Sequence, residues 1–215
     1  MRAGTASAFG RRLLWRSTGM DENVLKAIAK WPNVPAVYGW LSLDRRGQWY
    51  IKGDRITNAL VNGFIGRNYA ADALGRWFFQ NGPQRVYVRL EYTPYVFFAE
   101  HADGQHALTT HTGVPANQIR EALIDENGAL VLRTDIGVGV VCDRDLPMLA
   151  EALMNDSGRP VDDSDMANLL QGGEQRLYLA SGIHRLLVTV AASSELPRRF
   201  AYQTDPRPAP GEPEC

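Results

Sequence analysis

The chain has 215 residues, 45% hydrophobic and 22% charged, with 23 basic against 24 acidic side chains and a formal net charge of −1. This composition excludes disordered, collagen-like and disulfide-scaffold classes, and a mean hydropathy of −0.27 without a long apolar run speaks against a membrane-spanning helix. Near-neutrality gives no support to broad electrostatic binding of nucleic acid or an anionic membrane, so neither is an expected partner.

In chain order, residues 1–19 carry Arg2, Arg11, Arg12 and Arg16 and no acid. Their apolar cluster, Leu13-Leu14-Trp15, is too short for a secretory signal. The segment reads as an organellar presequence or as a leader ahead of a true start at Met20, in both cases a disordered stretch outside the fold. Residues 21–30 place Val24, Leu25, Ile28 and Ala29 on one helical stripe that Pro32 ends. Residues 36–43 alternate as a strand, Asp44-Arg45-Arg46-Gly47 turns, and 48–52 return. Thr57 or Asn58 can cap a helix over 59–65. Residues 77–80 and 85–91 form a second hairpin through Asn81-Gly82, with Val86, Val88 and Leu90 inward and Arg85, Tyr87, Arg89 and Glu91 facing water. Residues 121–124 and 129–133 flank an Asp125-Glu126-Asn127-Gly128 turn, and 136–142, 177–180 and 183–190 complete the strands. Asp145 and Ser164 are candidate caps for helices over 146–154 and 165–171. Residues 204–215, with a proline every two or three positions, read as a disordered, mobile tail or a ligand for a partner domain. Cys142 and Cys215 make no disulfide framework or metal spacing, which suits a reducing cytoplasm.

The body is uneven. Fifteen of the 20 aromatic residues lie between Trp31 and Phe98, and none between Ala99 and Leu177. Residues 31–100 carry eight basic and five acidic groups, whereas 101–215 carry nine and 17. Two subdomains or two faces of one sheet system explain this; without a Gly/Ser/Pro linker in the middle, one domain over 20–203 is favoured. The expected fold class is α+β, a single domain on antiparallel β-sheet with four or five short helices. Residues 41–51 also align with 122–132 as strand, Asp-x-x-Gly turn, strand, a hint of internal duplication that converging hairpins equally explain.

The strings Trp31-Pro32-Asn33-Val34-Pro35, Tyr38-Gly39-Trp40-Leu41, 64–69 (FIGRNY), 75–88 (GRWFFQNGPQRVYV), 90–94 (LEYTP), 110–113 (THTG) and 143–146 (DRDL) resemble a family of small proteobacterial proteins of unknown function. The resemblance spans about Met20 to Leu146. It implies a bacterial cytosolic protein and assigns no catalytic residue.

Phosphate loops, nucleophile elbows, His-Glu-x-x-His and Cys-x-x-Cys pairs are absent from the sequence. His101, His106 and His111, five apart, do not converge by spacing alone, so no metal or other cofactor is expected. The candidate ligand-binding set is Arg67, Asn68, Tyr69, Arg76, Asn81, Gln84 and Arg85: amides beside guanidinium forks suit a carboxylate or phosphate, with Trp77, Phe79 or Tyr87 near to stack a planar group. Turn formation and pairing of these arginines with Asp72 and Glu91 is the plainer account. His111 with Asp143 or Asp145 is a candidate acid–base pair, with Thr110, Thr112 or Cys142 as nucleophile, set against a structural histidine and an inert apolar thiol. Asp143-Arg144-Asp145 also reads as a helix cap with a local ion pair. Arg85, Tyr87 and Arg89 resemble a single-strand RNA platform in charge and ring content only. The expected function is a noncatalytic binding module for an anionic small molecule or a protein partner. The alternatives are an enzyme built on His111 and a structural subunit that pairs through an exposed edge.

Overall fold

The computed structural model describes residues 20–31, 34–102, 105–181 and 184–212, giving only the backbone at 101–102, 105–106, 181 and 184. The leader 1–19, Cys215 and the side chains of His101 and His106 therefore lie outside the described residues. The first half runs α1 (Glu22–Lys30), β1 (Val37–Leu43), β2 (Trp49–Ile51), β3 (Asp54–Arg55), α2 (Ala59–Arg67), β4 (Tyr69–Ala71), β5 (Trp77–Asn81) and β6 (Gln84–Leu90). The second runs β7 (Tyr95–Ala102), β8 (Gln105–Thr110), β9 (Pro115–Ala116), β10 (Ile119–Ile124), β11 (Leu130–Thr134) and β12 (Val138–Val141). A tight 3₁₀ turn, Asp143–Asp145, leads into α3 (Leu146–Ala150), β13 (Leu153–Asn155), α4 (Asp163–Leu170), β14 (Leu177–Ser181), β15 (His184–Val190) and α5 (Leu196–Arg199).

These strands form an α+β fold on two sheets, ordered β3-β2-β1-β6-β5-β4 and β13-β14-β15-β10-β11-β12-β7-β8-β9. Both sheets are mixed rather than purely antiparallel: β1 runs parallel to β6, β10 to β15 and β12 to β7. Alternation along a strand fixes which face is wet but not the direction of its neighbour, and parallel pairing needs a long crossover. Here α2 with the β4–β5 meander supplies one, and the segment from β12 to β14 supplies another.

The order β3-β2-β1-β6-β5-β4 reappears as β12-β11-β10-β15-β14-β13, strand for strand and with the same directions. The register repeats as well. Leu43 faces Trp49 and Leu90 in the first unit; Ile124 faces Leu130 and Val190 in the second. Just beyond the parallel pair, Glu91 N–H donates to Leu43 O and Ala191 N–H to Ile124 O. The two aligned sequence segments are thus equivalent hairpins of a repeated six-strand unit, to which β7, β8 and β9 are added.

Each hairpin closes with the same turn. The Asp44 carboxylate accepts the Arg46 and Gln48 amides at 2.9 and 2.8 Å, and Asp125 accepts those of Asn127 and Ala129 at 2.8 and 2.9 Å. The aspartate ties up turn amides that would otherwise need water, while Gly47 and Gly128, at φ +77° and +78°, supply the left-handed residue.

Both sheets feed one hydrophobic cluster, with Leu41, Leu43, Trp49 and Val88 from the first and Phe97, Leu123, Val131, Leu132 and Leu179 from the second. The opposite face of the first sheet is covered too: Tyr38, Phe78 and Tyr87 form a smaller cluster there with Met20, Ala36 and Ala70. Tyr87, expected to face water, is therefore buried, which removes it from an RNA-stacking platform. The segment after Tyr202 also differs from a free tail through residue 212. Leu90 N–H donates to Thr204 O, Gln203 N–H to Gly75 O, and Glu212 pairs with Arg76. It packs through polar bonds that its low apolar content does not reveal. Two caps differ from expectation: α4 is capped by a reciprocal Asp162–Asp165 box instead of Ser164, and Asp145 makes no side-chain cap bond to α3.

Candidate functional site

A cavity of about 630 Å³ lies between the two sheets. The β1–β2 turn contributes Arg46, Gly47 and Gln48; β3 and its exit give Arg55 and Ile56; α2 gives Asn62. From the second sheet come Phe98 of β7 and the run Cys142-Asp143-Arg144 beyond β12. Asn58 caps α2 by accepting the Leu60 and Val61 amides, fixing the first turn of the helix that presents Asn62.

Three guanidinium groups line this cleft against one carboxylate. Arg46 grips Asp143 Oδ2 through Nε and Nη2 at 3.1 and 2.6 Å. Arg144 forks onto Asp145 at 2.9 and 3.3 Å, with its guanidinium 5.5 Å from the Phe98 ring centre. Arg55 is exposed and makes no ion pair among the described residues. The Arg46 and Arg144 side chains are 64% and 73% exposed, so their pairs are screened and easily exchanged for a ligand. The Arg46 guanidinium holds the Asp143 carboxyl below the usual range, and Arg144, with the Ala99 amide, does the same for Asp145. Deeper in, Asn62 Nδ2 donates to Ile56 O at 3.1 Å, while its buried Oδ1 has no partner.

The sequence-derived ligand set does not meet in one place. Arg67 pairs with Asp21 at the start of α1, and fully buried Asn68 bonds the Asp21 amide and carboxylate. Tyr69 is in the core with its hydroxyl on Pro94 O. Arg76 is buried and saturated by Asp72, Glu212 and Arg207 O. Asn81 pairs with Gln84 at the exposed end of the β5–β6 hairpin, and Gln84 Nε2 donates to Pro35 O. Arg85 lies over Phe78 and lines a separate cavity of about 260 Å³ with Tyr38, Gln80, Tyr87 and Glu212.

His111 does not pair with either aspartate. Its Nδ1 accepts the Val96 amide at 3.3 Å, so Nε2 carries the proton, buried without a partner beside Trp49, Tyr69 and Tyr95. Burial pulls its pKa down to about 3, which makes it a neutral imidazole at pH 7 and a poor general acid or base. Asp143 and Asp145 are held by arginines, and burial pushes the Cys142 thiol up. The enzyme reading loses its catalytic pair. Among the described residues, no group of three or more His, Cys, Asp or Glu is placed to hold a metal, and no helix is long and apolar enough to cross a membrane.

The residues that sequence reasoning missed are Arg46, Arg55, Asn62 and Arg144. Their signal was a dibasic turn and a charged turn after a buried strand, but only packing of the sheets brings the two together.

No curated protein matches the chain. Among solved structures, a DUF1285 family protein from Silicibacter pomeroyi DSS-3 is similar at 17% identity and a TM-score of 0.48, covering 79% of this chain and 88% of that one. A DUF1285 family protein from Shewanella baltica OS155 is similar at 15% identity and a TM-score of 0.38, covering 54% and 91% respectively. A family model, DUF2944, described as "Protein of unknown function (DUF2946)", matches residues 20–207, extending the resemblance read from the sequence beyond Leu146. The chain belongs to this family of proteins of unknown function.

Proposed function

We propose that the protein is a noncatalytic binding module that takes a small anion, a carboxylate or phosphate, in the cleft between its sheets. The observation that carries this reading is the convergence of Arg46, Arg55 and Arg144 on one cavity of about 630 Å³, two in exposed pairs and Arg55 in none among the described residues. Guanidinium forks match planar or tetrahedral oxyanions, and Phe98 and Ile56 offer apolar contact. A concave, preformed site suits a small molecule better than a flat protein face. A cytosolic setting belongs to the same proposal, since Cys142 is a free, buried thiol.

The test is a thermal-shift screen of the full chain against phosphates and carboxylates, repeated with Arg55→Ala and Arg144→Ala. Charge-assisted bonds contribute about 1.5–3 kcal/mol each, so each substitution should weaken a true ligand by at least about tenfold. Hits that survive both substitutions unchanged would place binding elsewhere.

A further inference from the structure

We infer that the outer face of the first sheet carries a second binding site, a seat for one carboxylate made by Arg76 and Tyr38, which Glu212 fills and for which an acidic peptide segment competes. It is independent of the cleft.

The seat is built on rigid elements. Arg76, 4% exposed, leads into β5; its Nε is anchored on Asp72 Oδ2 at 2.7 Å, which aims the remaining edge of the guanidinium outward. That edge forks onto Glu212, Nη1 to Oε2 at 2.7 Å and Nη2 to Oε1 at 2.8 Å. The Tyr38 hydroxyl of β1 donates to the same Oε2 at 2.9 Å. Tyr38 stacks on Tyr87 of β6 with centroids 4.5 Å apart, and the Tyr87 hydroxyl returns to Asp72 at 3.0 Å. Arg76 is held above that same Tyr87 ring at 4.7 Å. All these donors and rings belong to the sheet or to the β4–β5 turn, so the geometry is set before the carboxylate arrives.

The occupant is less firmly placed. The Glu212 side chain is 38% exposed and reaches the seat on a segment without regular secondary structure, its backbone held by Arg76 Nη1 to Arg207 O and its side chain by the Ala209 amide. Pro206, Pro208 and Pro210 restrict the backbone of this segment and reduce the ordering entropy of docking, and the Glu212 amide donates to Ala209 O at 2.9 Å in a turn that brings the carboxylate to the seat. Without a carboxylate, the outward guanidinium edge and the Tyr38 hydroxyl would be left without that acceptor at a mostly buried arginine, a costly state that any well-placed carboxylate relieves. The cavity of about 260 Å³ beside the seat, bounded by Ile28, Val34 and Pro83 with Arg85 at its rim, leaves room for further side chains of an incoming peptide. Arg76, the Ala209 amide and Tyr38 lower the Glu212 pKa to about 2, so the seat stays filled at physiological pH and opens by competition, not by protonation.

The test uses the full chain and a labelled peptide of residues 204–212, acetylated and amidated, followed by fluorescence anisotropy. Glu212→Ala empties the seat and should bind the peptide at least about tenfold more tightly than the unsubstituted chain. The same peptide with glutamine at its 212 position should lose that gain, and adding Tyr38→Phe to the chain should reduce it several-fold. Arg55→Ala, which disables the cleft, should leave peptide binding unchanged, so failure of the cleft reading is read separately. Circular dichroism verifies that Glu212→Ala is folded, with Glu212→Gln as the isosteric substitute. Equal binding to both chains, or no binding to the folded variant, would overturn the inference.

Discussion

The two six-strand units share order, direction, register and turn geometry, yet they use the turn differently. In the first, Asp44 is half-buried, its second oxygen takes only the Tyr50 hydroxyl, and the turn projects Arg46 into the cleft. In the second, Asp125 is 1% exposed and accepts, besides its two turn amides, the Tyr92 hydroxyl at 2.6 Å and Arg45 from the first turn at 3.4 Å. One turn lines the candidate cleft; its counterpart ties the two units together. Even the outer clasp is reversed. Glu91, beyond β6, reaches back to the Arg45 amide, whereas Glu126, in the turn, reaches forward to Ser193 beyond β15. Backbone repetition therefore fixes where a turn lies, and the residues around its aspartate decide what the turn does.

The largest expected contrast is between the two aspartates. Asp125→Ala strands a buried hydroxyl, an arginine and two amides and should cost about 3–5 kcal/mol, while Asp44→Ala should cost about 1–2 kcal/mol; urea denaturation measures both. Equal losses would dissolve the distinction between the two turns. Next come the glycines. A Cβ at Gly47 would lie 2.7 Å from His111 Cβ and 3.1 Å from the Phe98 ring, while one at Gly128 meets nothing within 4 Å. Both substitutions to alanine carry the left-handed penalty of about 1–2 kcal/mol, and Gly47→Ala should add about 1–3 kcal/mol of overpacking, visible as a lower Tm. A smaller effect tests the cleft: Asp143→Ala frees Arg46 from a competitor and should raise anion affinity about fivefold in calorimetric titration, the scale of an exposed ion pair. The smallest concerns pH. Because the Glu212 pKa is depressed, its contribution to tail docking is fully present above the ordinary carboxylate range and is lost as pH falls through about 2. Carboxyl NMR of Glu212 should show a midpoint well below 4; an ordinary midpoint would mean that Arg76 does not hold it.

Much of the fold was legible because it is written locally. The helix over 59–65, most of the strands and both Asp-x-x-Gly turns follow from periodicity and turn chemistry, and the matched segments 41–51 and 122–132 pointed to the repeated unit. Parallel pairing was not legible, since nothing in Leu43 or Leu90 announces that they are neighbours. Tyr87 alternates as a wetted residue but is buried under the Tyr38 ring, the Phe78 edge and the Arg76 guanidinium. Composition along a continuous stretch groups the candidate ligand set, but a sheet sends successive residues to opposite faces: Arg76 and Arg85 lie on the outer side, while Tyr69 enters the core. Arg46 and Arg144, 98 positions apart, become neighbours only when the sheets pack.

The central claim, that the inter-sheet cleft is an anion site, is tested most directly by titrating the isotope-labelled full chain with inorganic phosphate and with succinate while following backbone amides by NMR. The account predicts saturable shifts concentrated at Arg46 to Gln48, Arg55, Asn62 and Cys142 to Arg144 with at least one of the two anions. Shifts confined to other regions, or none at these positions with either anion, would contradict it.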